Sequence, residues 1–492
     1  MNTQKNKSVA IIGGGLGGLA LAVRLAKKGY AVTLCEKNDR PGGKMNYFEK
    51  NGFRFDTGPS LVTLLDVFRE TFSELGSSLE DHIKPTRIDP LAHYVYADGT
   101  EFDYTSDLPK TISLIERLEP KDVEGFFKFM RLGAKLYNLS RSTFFVHSPY
   151  EFPPEIDIGV LKHFPIRYGW GNYAKTVEAH FRSPHLQQLY NRYPTYVGSS
   201  PYLTPATLIV IPFIEFAYGG WYFKGGLYTL IKALTQLAEQ NGVTILTNTT
   251  VKEILHTNKK VRGLKLNDGT IITSNIVVMN GDAECINYLL RENTSSLDIK
   301  ERSLSGIVFL VGISKTMPQL HHHSIYFSDS YEHEFEQLFK SFQFPDDPTV
   351  YVNVASRTDR SIVPNEGETL YIMANAPASD SIEWNAEQTE RAWQAILRRL
   401  RRSNFPEFEP FILFREVFTP VDMKEKYLMP GGAIYGRNSH GWKNTFLRPP
   451  NKDLRYKGLY YVGGSSHPGG GTPMVLLSAK ITSRLIEKYE TS

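Results

Sequence analysis

Six residues constrain this chain more than any others. Gly13-Gly14-Gly15-Leu16-Gly17-Gly18 fits the spacing G-x-G-x-x-G. The run lies between an apolar stretch, Ser8 to Ile12, that reads as a buried strand and a stretch, Leu16 to Lys28, that reads as a helix closed by Gly29. A second apolar strand, Ala31 to Cys35, follows and ends at Glu36. In such a unit the first glycine permits the tight turn, the second lets the backbone approach a pyrophosphate, and the third lets helix and strand pack closely. The N–H groups and positive dipole end of the helix then face the anion. Glu36 is placed to accept hydrogen bonds from ribose hydroxyls, as in FAD or NAD, and would repel the extra phosphate of NADP. The glycines alone say little, since a glycine-rich turn can also be empty. With strand, helix and acid in register they predict a dinucleotide-binding βαβ unit contacted through Gly13, Gly15, Leu16, Gly17, Gly18 and Glu36.

Two further segments extend this unit. After Glu36 come Lys37-Asn-Asp-Arg-Pro-Gly42-Gly43-Lys44 and Phe55-Asp-Thr-Gly58-Pro59-Ser60. A Gly-Gly pair followed by a cation lets the backbone lie against an extended cofactor, with the cation facing its phosphates. Near the other terminus, Tyr461-Val-Gly463-Gly464-Ser-Ser-His467-Pro-Gly-Gly-Gly471-Thr472-Pro473-Met474-Val475 reads as a strand, a glycine loop and a helix start. That helix N-terminus would stabilise negative charge, including the N1–O2 region of a reduced flavin.

The stretch Lys37 to Ser60 resembles the N-terminal segment of the flavoprotein superfamily that includes amine oxidases and carotenoid desaturases. Most members carry Arg where this chain has Lys44, which keeps the charge and loses the bidentate fork. The C-terminal segment resembles the flavin segment of bacterial-type phytoene desaturases. Tyr193-Pro-Thr-Tyr-Val-Gly-Ser-Ser-Pro201 and Gly219-Gly-Trp221-Tyr-Phe-Lys-Gly225-Gly look like carotenoid desaturase sequences rather than amine oxidases. Within that family the chain is more similar to the hydroxycarotenoid 3,4-desaturase branch, on Met45 to Leu61, Pro90 to Tyr96 and Pro201 to Leu208. The resemblance implies FAD, a carotenoid substrate and oxidation of a saturated carbon–carbon bond. It also implies cofactor contacts at Lys37, Gly43, Lys44, Pro59, Ser60, Gly464, Pro473, Met474 and Val475, with the backbone of Val251 holding the adenine edge. Dioxygen or a membrane quinone would be the re-oxidant.

The flavin-type elements are scattered, so the expected fold class is α/β: a discontinuous Rossmann-like FAD-binding domain plus a mixed sheet and helical substrate domain. The first would comprise 1–90, 219–299 and 441–492, the second 91–218 and 300–440. The first insertion reads as helical and aromatic, and the second carries β-like runs and a helix over Asn385 to Arg402.

Composition narrows the partners. A net charge of +4 argues against nucleic acid, which asks for a concentrated basic field. Two cysteines make neither a disulfide framework nor a cysteine metal site, and suggest a reducing, cytoplasmic compartment. No apolar run reaches about 18 residues, so membrane contact would be peripheral. The 29 Phe and 27 Tyr suit a channel for a long hydrocarbon. Between Phe126 and Tyr173 aromatics alternate with Lys128, Arg131, Lys135, Arg141, Lys162 and Arg167, against only Glu151, Glu155 and Asp157. This segment is expected to face anionic lipid, the alternative being a solvated helical lid.

Desaturation also needs a proton acceptor. Glu215, in an apolar run, and His467, in the glycine loop, are the two candidates. The structural alternatives are a satisfied buried carboxylate and a backbone-bonded loop histidine. His321-His322-His323 invites a metal reading, but consecutive strand residues face opposite ways and no carboxylate is near in sequence, so no metal is expected.

Overall fold

The computed structural model describes residues 7–148, 150–151, 171–292, 297–364 and 366–490. Its architecture is α/β, and two sheets organise it.

The first sheet has five strands in the order Leu459–Tyr461, Ile276–Met279, Ser8–Ile12, Ala31–Cys35, Thr244–Leu246, all parallel. Strands covered on both faces read as continuous apolar runs, as Ile276–Met279 does with all four residues buried. The helix Leu16–Lys27 follows the central strand and is buried from Leu16 to Leu25, because it packs between the helices Tyr228–Gln240 and Thr472–Glu490. A helix apolar on every side needs such cover. The chain therefore brings its beginning, middle and end into one layer. An antiparallel sheet of Val251–Thr257, Lys260–Leu266 and Ile271–Thr273 lies beside it, turning at Asn267 to Thr270, where Gly269 has φ +91°.

The second sheet has seven strands: Ile412–Phe418, Ser305–Ile313, Glu368–Ala376, Val350–Asn353, His323–Tyr326, Ala92–Val95, Glu101–Tyr104. Its last two strands come from the segment expected to be helical. Tyr94, Val95, Phe102 and Tyr104 are buried, so this hairpin closes the sheet edge before the chain turns helical at Leu108–Leu118 and Asp122–Ser142. One face of the sheet is covered by the helix Ala386–Arg402. Asn385 caps that helix, its side chain accepting from the Gln388 N–H at 2.9 Å. Trp393, Ile396, Leu397 and Leu400 pack on Phe309, Val350, Val352 and Ile372. The other face, which carries Ile325 and Tyr351, meets the helical segments and the hairpin Tyr47–Lys50/Phe53–Asp56.

The helix Val210–Tyr218 bridges the two halves. Phe213, Val210 and Tyr218 pack on Leu64, Tyr137, Phe145 and Met474. No described helix is long and apolar enough to cross a membrane.

Candidate active site

The glycine turn sits at the carboxyl end of the central parallel strand, where ligands bind in open α/β sheets. Gly13 has φ +100° and its N–H donates to the Cys35 carbonyl at 2.8 Å. A methyl group on Gly18 would collide with the Gly13 carbonyl and the Asn280 side chain, so the turn requires hydrogen there. Gly17 lies against Val475 and Val462, which sets the two glycine-rich segments side by side.

Glu36 is buried and each of its oxygens is engaged. Oε2 accepts from the Gly14 N–H at 2.7 Å, and Oε1 accepts from the backbone and side-chain N–H groups of Asn38 at 2.9 Å each. The Thr249 N–H donates to the Glu36 carbonyl at 2.8 Å, which brings Val251 to the same edge. The Gly42 N–H donates to Gly14 O at 2.9 Å, and Gly43 comes within van der Waals reach of Gly15. Lys44 is directed inward and donates to the Ile434 carbonyl at 2.5 Å. Burial lowers its pKa, and the Asp282 carboxylate opposes that shift. Lys37 instead points outward, onto the Glu425 carbonyl.

At the C-terminal loop, Gly464 packs on Gly470, and the Val475 N–H donates to Gly471 O at 3.0 Å as the helix Thr472–Glu490 begins. Pro473, Met474 and Val475 form its first turn. Predicted contacts from 13–18, 36, 43–44, 464 and 473–475 thus share one region, with Pro59 and Ser60 approaching on a separate loop. The Ser60 hydroxyl meets the Tyr351 hydroxyl at 2.7 Å.

Three residues of this region escaped the sequence reading. Asn280 donates to Gly13 O at 2.8 Å and crowds Gly17 and Gly18. Asp282 is buried with Oδ2 unpartnered, and burial pushes its carboxyl up. Arg448 is buried with Nη1 unpartnered, touches Gly469 and has its pKa pushed down by desolvation to about 10. The signal for the first two was their position directly after a fully buried strand; Arg448 gave none. Orphaned buried polar atoms are costly unless a ligand meets them. A buried guanidinium and lysine beside two glycine turns, with the one Asp282 carboxylate acting on both, fit a dinucleotide with an anionic pyrophosphate and a flavin that gains negative charge on reduction. Glu36, Lys44, Asp282 and Arg448 would hold it, and the flavin when bound supplies a two-electron acceptor.

The two acid–base candidates have different partners. Glu215, on Val210–Tyr218, is 3% exposed and accepts from Tyr193 Oη at 2.7 Å and Tyr196 Oη at 2.9 Å. Burial raises its pKa, against the opposing pull of Arg192 and the two tyrosines. Arg192 in turn donates to Tyr94 Oη at 3.2 Å and Tyr196 Oη at 3.1 Å. His467 is fully buried. Its Nε2–H donates to the Phe144 carbonyl at 2.7 Å, its ring meets Phe144 edge-on at 4.4 Å, and Nδ1 has no partner. Burial pushes it down to about 4, so the ring is neutral at pH 7.

Only His323 of the histidine run lies in a strand; His322 and His323 are both buried with their rings 4.4 Å apart, and a carboxylate distant in sequence approaches His321. His321 Nε2 lies 3.3 Å from Asp103 Oδ1, and His93 Nδ1 lies 2.8 Å from the same oxygen. Among the described residues this is the one cluster of metal-ligand type. Its imidazoles are stacked 4.4 Å apart with planes 4° from parallel. Both rings approach the one Asp103 oxygen, and the three residues join the edge hairpin to the start of the histidine run.

On the helix Asp122–Ser142, Phe126, Phe129 and Leu136 are buried while Phe127, Lys128, Arg131, Lys135 and Arg141 are exposed. Lys128 pairs with Glu124 at 2.7 Å. Lys162, Arg167, Glu155 and Asp157 lie outside the described residues.

Comparison with known proteins gives the family and the fold. The family described as "Flavin containing amine oxidoreductase" matches residues 16–486. A 1-hydroxycarotenoid 3,4-desaturase of Flavobacterium is 35% identical over 98% of this chain and 99% of its own. A 4,4'-diapolycopene oxygenase of Methylomonas is 33% identical over 98% of each chain. In fold, an oxidoreductase from Methanosarcina mazei superposes with a TM-score of 0.65 at 17% identity, covering 96% of this chain and 99% of that one. The chain is thus an FAD-dependent oxidoreductase belonging to the flavin containing amine oxidoreductase family.

Proposed function

We propose that the protein is a carotenoid desaturase that forms a carbon–carbon double bond by hydride transfer to flavin N5, at the 3,4-position of a 1-hydroxylated acyclic or monocyclic carotenoid end. The observation that carries this reading is the aromatic interior beside the flavin loops. Phe213 and Tyr218 pack on Met474 at the start of the C-terminal helix, and Phe216, Tyr196, Leu208 and Ile211 continue from there. A long hydrocarbon asks for such a lining, with few polar groups to desolvate. The desaturase relative at 35% identity supports the reaction type.

In this reading 1–90, 219–299 and 441–492 bind FAD, while 91–218 and 300–440 bind substrate. The exposed Phe127 and its neighbouring cations meet the cytoplasmic membrane surface from which the substrate is drawn, and dioxygen or a quinone re-oxidises the flavin.

A second reading, oxygenation of a carotenoid end, is supported by the relatives at 33% and 30% identity that are named oxygenases. Expression in bacteria that accumulate different carotenoids distinguishes the two. Desaturation yields a product lighter by two hydrogens from a hydroxylated carotenoid, whereas oxygenation yields a heavier one. Conversion of phytoene alone would refute the 3,4-assignment. A product of unchanged mass would mean isomerisation, and a chain that never holds flavin would be a prenyl-binding escort.

A further inference from the structure

One polar chain crosses the floor of this interior. Val350–Asn353 pairs with His323–Tyr326 so that Tyr351 is opposite Ile325 and Asn353 opposite His323. Alternation puts all four on one face, turned away from the Ala386–Arg402 helix and toward the flavin loops. Tyr351 is half-buried between the aromatic interior and the Phe53–Phe414 cluster. Its hydroxyl lies 2.7 Å from Ser60 Oγ and 2.7 Å from His323 Nδ1.

The direction of this chain follows from its donors. The Asn353 amide nitrogen donates to His322 O at 3.1 Å and lies 3.2 Å from His323 Nδ1. An amide NH₂ only donates, so Nδ1 is the acceptor and Nε2 carries the ring proton. Tyr351 must then give its proton to Nδ1 and accept from Ser60. The result is a wire, Ser60 O–H to Tyr351 O–H to His323 Nδ1. It ends at a buried Nε2–H with no protein partner.

We propose that Tyr351, backed by His323, is the proton acceptor of the oxidation, with Ser60 fixing the direction of its hydroxyl. The inference rests on the reading of the chain as a flavin-dependent carotenoid desaturase. One carbon loses a hydride, taken up by oxidised flavin. Its neighbour loses a proton to Tyr351 Oη as the tyrosine's own proton passes to His323 Nδ1. The electron pair of the second C–H bond becomes the π bond. A buried neutral imidazole is a weak base, and a weak base suffices, because a C–H beside a carbon bearing developing positive charge is strongly acidic. The phenol stays neutral throughout, so no bare phenolate is needed among apolar walls.

The test is anaerobic flavin bleaching in FAD-loaded protein mixed with a hydroxylated carotenoid in liposomes, together with ¹⁵N-histidine spectra of the same samples. Y351F and H323N should retain FAD and bleach at least about 100-fold more slowly than wild type, the scale of general-base loss. The spectra should place His323 in the Nε2–H tautomer, and Y351F should shift its Nδ1 resonance. Bleaching of Y351F at the wild-type rate, an Nδ1–H tautomer, or a loss confined to H467N would each overturn the relay alone. A wild-type protein that no carotenoid bleaches would overturn the desaturase reading and the relay with it.

Discussion

The Glu36 carboxylate accepts a hydrogen bond from the Gly14 backbone N–H at 2.7 Å, joining the end of one parallel strand to the glycine turn of the next. The acid therefore shapes the turn as well as offering an oxygen to a ribose. E36A removes both contributions and leaves the Gly14 N–H without its partner. A hydrogen bond to a charged group is worth about 1.5–3 kcal/mol, so FAD should bind roughly 10- to 100-fold more weakly. Titration of apoprotein with FAD, followed by flavin fluorescence, measures this. Unchanged affinity would remove Glu36 from the cofactor site.

Glu215 separates stability from chemistry. Replacing it with alanine strands two tyrosine hydroxyls and the neighbouring Arg192, a loss on the order of 3–5 kcal/mol for a broken buried charge network. E215Q keeps an oxygen for one tyrosine. It should lower Tm while leaving flavin bleaching within about threefold of wild type. A bleaching defect of 100-fold in folded, flavin-loaded E215Q would make Glu215 the base.

His467 should make the protein acid-labile. Its pKa is pushed down to about 4 by burial, so the fold prefers the neutral ring. A depressed pKa contributes stability that is present above the unfolded value of about 6.5 and lost as pH falls through about 4. The loss is about 3 kcal/mol at most, at 1.36 kcal/mol per unit. H467N should reduce the pH dependence of denaturant unfolding between pH 6.5 and 4 by about one proton's worth, with the other buried histidines supplying the rest. An identical slope in H467N would contradict a neutral buried ring.

Membrane contact is tested by reversing charge on the exposed face of the Asp122–Ser142 helix. K128E, R131E, K135E and R141E together should reduce pelleting with anionic liposomes at low salt and leave Tm near wild type, since none of the four is buried. Equal pelleting would assign the binding to another surface.

Much of the site was legible because its parts are local. A strand, a glycine turn and an acid occupy one short stretch, and Glu36 and the Thr472 helix start stand where that pattern requires. What escaped was set by pairing across distance. The Ala92–Val95/Glu101–Tyr104 hairpin sits in an aromatic segment whose helical neighbours masked its alternation. His93 and Asp103 reach His321 only because that hairpin lies beside His323–Tyr326. Arg448 follows Phe446 and Leu447 and precedes two prolines, and only the tertiary fold buries it with Nη1 unpartnered. Tyr351 and His323 read as sheet residues. Their role depends on Ser60, whose loop reaches the sheet from the far end of the chain.

The most direct measurement is a single turnover. FAD-loaded protein, mixed without oxygen with a 1-hydroxylated acyclic carotenoid in liposomes, should lose its oxidised flavin absorbance and yield one product lighter by two hydrogens for each flavin reduced. Full retention of oxidised flavin, or a product that gains oxygen once air is admitted and never loses hydrogen, would contradict the account.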